Sequence, residues 1–380
     1  MSIERIMITG GGTGGHIYPA LAVAGELRKR HPLARFLYVG GKKGLESDLV
    51  PREGYEFVAL DIRGMERKAG LATLKSAWMA FVSVFRAVGI MQEFDPDVVI
   101  GTGGYASFPV GAAAILTGRP LVLHEQNVYP GLANRILGRF AKGIAISWES
   151  SKDGFSGSAE IVHTGNPIRS SVIGTTREEG LKRLNLEPGP RTVLIFGGSQ
   201  GAMRMSNAAI SAMKLAEEED MRLILATGAA NYDRFAAEAR AEGVDFADGF
   251  DGSGKKFVIV PYIHDMAAAL SASDLVVARA GALTLAEITA KGLPSILVPH
   301  PKVPDDVQRR NAKAMQDEGA SVSIEDSALD GATLFDAISG LIADDARLAS
   351  MGKAALALAM PDAASKVADL AERQARRMNG

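Results

Sequence analysis

Five glycines fall among the six residues Gly10-Gly11-Gly12-Thr13-Gly14-Gly15, and His16 follows them. The apolar run Ile6-Met7-Ile8 leads in, and a helical pattern runs on from Tyr18 to His31. A strand, a tight loop and a helix start, in that order, offer an anion backbone N–H groups and the positive end of a helix dipole. His16 is the loop's one side chain able to exchange a proton near pH 7. The chemistry on offer is anion holding beside proton transfer.

Two more runs share this grammar in the first half. Gly101-Thr102-Gly103-Gly104-Tyr105 follows a short apolar strand, and His124-Glu125-Gln126-Asn127 follows Leu121-Val122-Leu123. Strand C-termini in a parallel sheet line one edge, where ligands bind, so the three runs should converge there. Capping of a following helix is the alternative for His124–Asn127. Gly10-x-Gly12-x-x-Gly15 also fits the dinucleotide fingerprint. That fingerprint needs an acid after the second strand, and the strand here ends Val39-Gly40-Gly41-Lys42-Lys43, which argues against a dehydrogenase.

The second half opens on Gly197-Gly198-Ser199-Gln200-Gly201-Ala202, a second anion cradle in which Ser199 can donate a hydroxyl hydrogen bond. It lacks the Gly-Lys-Ser/Thr end of a P-loop, which argues against kinase or ATPase chemistry. Arg279-Ala280-Gly281-Ala282-Leu283-Thr284-Leu285-Ala286-Glu287 lets backbone approach a ligand, with a helix expected near Thr284. Glu287 then either complements the helix dipole or accepts from two ribose hydroxyls. Asp305-Asp306, ahead of Val307-Gln308, lack a nearby His or third carboxylate, so a helix start explains them better than a metal.

The elements that must position these residues form two strand–helix alternations. The first has strands near 6–9, 36–39, 57–60, 98–102, 121–125, 143–146 and 161–164; the second has strands near 193–196, 222–226, 257–260, 275–278, 295–298 and 320–324. Such alternation is read as α/β, with parallel sheets covered on both faces. The turn Gly165-Asn166-Pro167 divides the chain, and residues 175–191 form a charged polar stretch. We expect an N-terminal domain of residues 1–166 plus a returning helix at 362–380, and a C-terminal domain of 167–361. The helix 71–93 carries Leu74, Trp78, Phe81 and Phe85 at helical spacing beside Lys75 and Arg86. That face suits either a core or an anionic membrane surface.

With 380 residues, 47% apolar, the chain can bury more than one core. A net charge of −2 gives no global field for nucleic acid, and the absence of cysteine excludes disulfides and thiolate nucleophiles. No segment approaches a membrane span, and a cytosolic protein is expected.

The runs Gly11–Ala22, His124–Asn127, Gly165-Asn166-Pro167-Ile168-Arg169, Gly197–Ala202 and Arg279–Thr284 together resemble the MurG family, which transfers N-acetylglucosamine from UDP-N-acetylglucosamine to lipid I, giving lipid II in bacterial peptidoglycan synthesis. The resemblance implies the GT-B fold, two Rossmann-like doubly wound domains separated by a deep cleft. It implies donor contacts at Thr13, Gly14, Gly15, Asn127, Arg169, Ser199, Ile263, Ala282, Leu283, Thr284, Leu285, Ala286, Glu287 and Gln308, with Glu287 on the ribose and the Ile263 backbone on the uracil. It places the acceptor near Gly104, Tyr105 and His124. It makes His16 the first candidate for the base and Glu125 the second. No tightly bound cofactor and no metal are expected, although divalent cations could stimulate. The partners implied are UDP-N-acetylglucosamine, undecaprenyl-linked lipid I and other cell-wall synthesis proteins. The site of action implied is the cytoplasmic face of the inner membrane, held peripherally. Two departures stand out: Asp305-Asp306-Val307-Gln308 where many relatives have His third, and Tyr262–Met266 where an acidic pair is usual. A UDP-N-acetylglucosamine 2-epimerase is the alternative of the same fold.

Overall fold

Apolar runs of three to six residues between glycine-rich turns are too short for core helices and too continuous for one-sided strands. They form the strands of two parallel sheets, buried on both faces. The computed structural model describes residues 3–62, 71–198 and 202–378, with side chains described from 82 in the helix 71–94 and up to 375 in the last helix. Ser199, and the side chains of Leu74, Trp78 and Phe81, lie outside the described residues. The chain divides into two units, Met1–Arg169 with Met360–Gly380, and Ser170–Ala359.

In the first unit β1 (Arg5–Thr9), β2 (Arg35–Gly41), β3 (Glu56–Leu60), β4 (Val98–Gly101), β5 (Leu121–Glu125), β6 (Gly143–Ile146) and β7 (Glu160–His163) lie in the order β3-β2-β1-β4-β5-β6-β7. Register sets Thr9 level with both Val39 and Gly101, so these strand ends open on one edge. The order reverses between β1 and β4, where a doubly wound sheet opens its crevice. The connecting helices are α1 (Gly14–Arg30), α2 (Glu46–Arg52), α3 (Leu71–Phe94), α4 (Ser107–Leu116) and α5 (Leu132–Leu137).

Several local features differ from the sequence expectation, among them a strand, Phe246–Asp248, that the reading of the second half did not place. α1 starts at Gly14, not Tyr18, because the Thr13 carbonyl accepts from the His16 and Ile17 amides. His16 therefore sits in the first turn. α2 is a seven-residue helix hidden in the polar run after β2. In the second unit, α6 (Ser170–Gly174) lies just before, and α7 (Arg177–Arg183) within, what was expected to be a charged polar stretch. α7 is closed by a capping box: Thr176 Oγ1 accepts from the Glu179 amide, and the Glu179 carboxylate accepts from the Thr176 amide.

The second unit continues with β8 (Arg191–Phe196), α8 (Met203–Leu215), β9 (Met221–Ala226), α9 (Tyr232–Ala241), β10 (Phe246–Asp248), β11 (Phe257–Val260), α10 (Met266–Ala272), β12 (Leu275–Ala278), α11 (Ala282–Ala290), β13 (Ser295–Leu297), α12 (Val307–Asp317), β14 (Ser321–Ser323), α13 (Gly331–Ile342) and α14 (Asp345–Ala357). Its sheet order is β10-β11-β9-β8-β12-β13-β14. The reversal falls between β8 and β12, where the runs starting at Gly197 and Arg279 emerge.

The last helix, α15 (Ala363–Met378), belongs to the first unit. Its Val367, Leu370 and Ala371 join Ile8, Leu27, Val98 and Val122 in one buried cluster. Its polar side is tied to α1: the Arg30 guanidinium donates to Asp369 at 2.6 Å and to Ser365 Oγ at 2.6 Å. No helix among the described residues is long and apolar enough to cross a membrane.

Candidate active site

His16, half-buried in the first turn of α1, is fixed through one ring nitrogen. Its Nδ1 lies 3.0 Å from the Thr102 carbonyl and 3.2 Å from Gln126 Oε1. Both are acceptors, so Nδ1 carries the proton and Nε2 carries the lone pair. The Gln126 amide is oriented by the same logic, because its Nε2 donates to the Thr102 carbonyl at 2.6 Å and to His124 Nδ1 at 2.9 Å. His124 Nε2 then donates to the Gly165 carbonyl at 3.0 Å. One chain of donors and acceptors thus runs from Gly165 to His16 and allows each imidazole a single neutral tautomer. Gly103 makes room for it: a Cβ there would lie 3.1 Å from His16 Nδ1.

His124, expected beside the acceptor, is fully buried. Burial pushes its imidazole down to about 4, so it stays neutral at pH 7. It holds Gln126 and Gly165 from inside and offers no surface to a ligand. Glu125 is also buried, at 1% exposed. Its Oε1 accepts from the Asn127 amide at 3.0 Å and Asn127 Nδ2 at 3.1 Å. Its Oε2 accepts from the Gly131 amide at 3.0 Å and Asn134 Nδ2 at 2.9 Å. A carboxylate with both oxygens so occupied shapes the turn from β5 into α5. To take a proton it would have to release one of these donors. Asn134 is the residue the sequence reading passed over here; Gln126 was named within the run His124–Asn127 but given no role of its own.

Across the crevice of this sheet, Tyr105 packs over the glycine loop, its ring carbon 2.6 Å from where a Gly12 Cβ would stand. Gly104, at φ +80, brings its backbone against Gly11, where a Cβ would meet the Gly11 carbonyl oxygen at 2.1 Å. The Arg169 guanidinium lies over the ring of Tyr18, 4.8 Å from its centre. Thr13 is exposed, and Gly14 and Gly15 open α1, so their amides have no carbonyl one turn back to bond.

In the second unit α11 starts at Ala282, capped by Gly281, two residues before the expected start. The amides of Ala282, Leu283 and Thr284 are therefore those of an open first turn. Glu287 falls on the second turn, not the first, and is buried beside Leu285, with Ala286 half-buried between them. Gln308 Oε1 accepts from the His300 amide at 2.8 Å, which fixes the turn after β13. Arg279 is a clamp for strand ends: it donates to the Val298 carbonyl at 3.0 Å and pairs with Asp326 at 2.6 Å. The Ile263 side chain is buried just after β11. A helix does begin at Asp305-Asp306, but Asp306 pairs with Arg309 at 2.6 Å instead of capping. Among the described residues no group of three or more His, Asp or Glu could hold a metal ion.

The glycosyltransferase family 28 N-terminal domain model matches residues 6–146, and the family 28 C-terminal domain model matches residues 192–373. The chain is 41% identical, over 97% of its length and 98% of the relative's, to the UDP-N-acetylglucosamine–N-acetylmuramyl-(pentapeptide) pyrophosphoryl-undecaprenol N-acetylglucosamine transferase of Desulforamulus reducens. It is 42% identical to the protein of the same name from Halalkalibacterium halodurans, covering 96% of this chain and 97% of that one. Among solved structures, Acinetobacter baumannii MurG superposes with a TM-score of 0.75 at 29% identity, over 97% of this chain and 99% of that one.

Proposed function

Because the chain belongs to glycosyltransferase family 28 and, within it, to the MurG family, we propose that it transfers N-acetylglucosamine from UDP-N-acetylglucosamine to the muramyl sugar of undecaprenyl-pyrophosphoryl-linked lipid I, giving lipid II. The observation that carries the mechanism is the single tautomer of His16. Nδ1–H is spent on Thr102 and Gln126, so Nε2 is the nitrogen available to take a proton.

The acceptor's 4-hydroxyl gives its proton to His16 Nε2 as its oxygen attacks the anomeric carbon. The bond to UDP breaks and the configuration inverts, through an oxocarbenium-like transition state. Glu125 holds Asn127, which reaches the donor sugar, and is not the base. The diphosphate leaves with growing negative charge. In the second unit the open first-turn amides of Ala282–Thr284, with Ser199, are suited to receive it; in the first, Gly14, Gly15 and Arg169 are the donor contacts that the family resemblance implies. Glu287 takes the ribose, the Ile263 backbone the uracil, and Gln308 the sugar. Tyr105 and Gly104 border the acceptor. These residues supply the positioning; no metal or cofactor is assigned a step.

An acceptor carried on an undecaprenyl chain requires work at a membrane surface, and we assign the protein to its cytoplasmic face. Phe85 is 61% exposed and Val82 41%, so this part of α3 presents apolar area to solvent. The test is transfer of labelled sugar from UDP-N-acetylglucosamine to lipid I or a short-chain analogue, with UDP release measured alongside. Epimerised UDP-sugar without lipid-linked product would favour the 2-epimerase alternative and overturn the assignment.

A further inference from the structure

The glycine loop that reads as a phosphate cradle already holds an anion of the chain's own. Glu46, the first residue of α2, is fully buried. Its Oε2 accepts from the Gly12 amide at 3.1 Å, and its Oε1 accepts from the Gly41 amide at 2.9 Å. One carboxylate thus joins the turn after β1 to the end of β2.

The glycines around it are shaped to this carboxylate. A Cβ at Gly44 would stand 2.1 Å from Glu46 Oε2, and one at Gly11 2.3 Å from Oε1. A Cβ at Gly40 would meet Glu46 Cγ at 2.7 Å, and one at Gly41 would meet Oε1 at 3.0 Å. Four glycines, one after β1, two at the end of β2 and one in the turn beyond it, therefore line this one side chain. Tyr105 roofs the site, its ring carbon and hydroxyl both 3.1 Å from the Gly41 Cβ position. Tyr38 floors it and donates to the Gly10 carbonyl at 2.7 Å. Burial, and then the charge of Glu46, push both phenols up.

We propose that Glu46 is an internal counterpart of a bound phosphate and a positioning residue for the transfer reaction. It takes the Gly12 and Gly41 amides permanently and holds the loop in the one shape that delivers His16 to the Thr102 carbonyl. The loop's inner amides are thereby withdrawn from substrate, and only the outward first-turn amides of α1 remain for a ligand anion. This rests on the transfer reaction assigned above, so its test includes a readout that needs no activity.

Glu46→Ala leaves two amide donors facing a carboxylate-sized space. Formate, matched against chloride at equal ionic strength, is the probe. In Glu46→Ala, formate should raise the melting temperature saturably and recover kcat over the same concentration range, while leaving the wild type unmoved. Without formate, kcat should fall at least about tenfold and the KM for UDP-N-acetylglucosamine should change less than about threefold. Glu46→Gln, which retains one acceptor oxygen, should fold and show the same split if the alanine variant does not fold. A folded Glu46→Ala protein that formate neither stabilises nor reactivates would overturn the proposal. So would a Glu46 variant with unchanged kcat. A wild type inactive in transfer, together with formate stabilisation of Glu46→Ala, would instead fault the assigned reaction and leave the internal anion standing.

Discussion

Gln126 Nε2 and His16 Nδ1 donate to the same carbonyl, that of Thr102, at 2.6 and 3.0 Å. The β4 carbonyl end is thus the fixed point on which the amide and the imidazole are both aligned. Turning the His16 ring over would put Cδ2 where Nδ1 now stands and leave the Thr102 carbonyl and Gln126 Oε1 without the imidazole N–H. The orientation of the proposed base is therefore set by the residues that follow β4 and β5, Thr102 and Gln126, not by its own helix.

His16→Ala should lower kcat by about 10²- to 10⁴-fold, the usual worth of a positioned general base. The KM for UDP-N-acetylglucosamine should stay within about threefold, because the ring acts on the acceptor hydroxyl. Steady-state kinetics with a short-chain lipid I analogue check this. Near-normal turnover with normal donor binding would remove His16 from the chemistry.

Gln126→Leu keeps the volume but removes one of the two acceptors for His16 Nδ1–H and the donor to His124. The expected result is a loss of about tenfold in kcat with the fold intact. The same substitution in a His16→Ala background should cost little more, because the residue it orients is gone. Additive losses in that double-mutant cycle would separate the two residues.

Stability should fall in acid through His124. Its folded value of about 4 lies below the unfolded 6.5, so the unfolded chain binds the extra proton between those values. The full contribution is present above about pH 6.5 and is lost as pH falls through 4. The shift of about 2.5 units is worth roughly 3 kcal/mol. Denaturant midpoints at a series of pH values should flatten over this window in His124→Gln.

Gly104→Ala should destabilise the first unit by roughly 3 kcal/mol or more, since the new methyl meets the Gly11 carbonyl oxygen and φ is positive. A melting curve reads this directly. A variant of normal stability but poor acceptor KM would mean that the backbone there moves aside.

Phe85→Glu should weaken binding to anionic vesicles with little change in the melting temperature, because Phe85 is 61% exposed. Vesicle sedimentation with and without the substitution checks it.

Strand–helix alternation was legible because buried parallel strands are continuous apolar runs between glycines; Val98–Gly101 and Leu275–Ala278 were placed to within a residue. α2 was not legible, because seven residues are too few to show a period, and Val50 is its buried apolar residue. The missed helix carried the missed residue. The second strand was read as lacking an acid, yet Glu46 stands five residues past Gly41 and folds back onto it. Composition could place His124 and Glu125 at the sheet edge. It could not say that their side chains turn inward, because that depends on the pleat at the end of β5 and on donors from Gln126, Asn127 and Asn134. The neutral tautomers emerged only when every donor had been matched to an acceptor.

The helix α15 fixes an order of assembly. A growing polypeptide leaves the ribosome N-terminus first, and domains fold as they emerge. Here Val367, Leu370 and Ala371 fill the core of the first unit, yet they are made after every residue of the second. Until they arrive, the groove over β4, β5 and β6 stays open, and the apolar area that Val367 and Leu370 will cover, worth about 1.5–3 kcal/mol for each side chain, faces water. The unit that emerges first is thus the one completed last, and it spends most of its translation as a partly covered sheet that chaperones can reach.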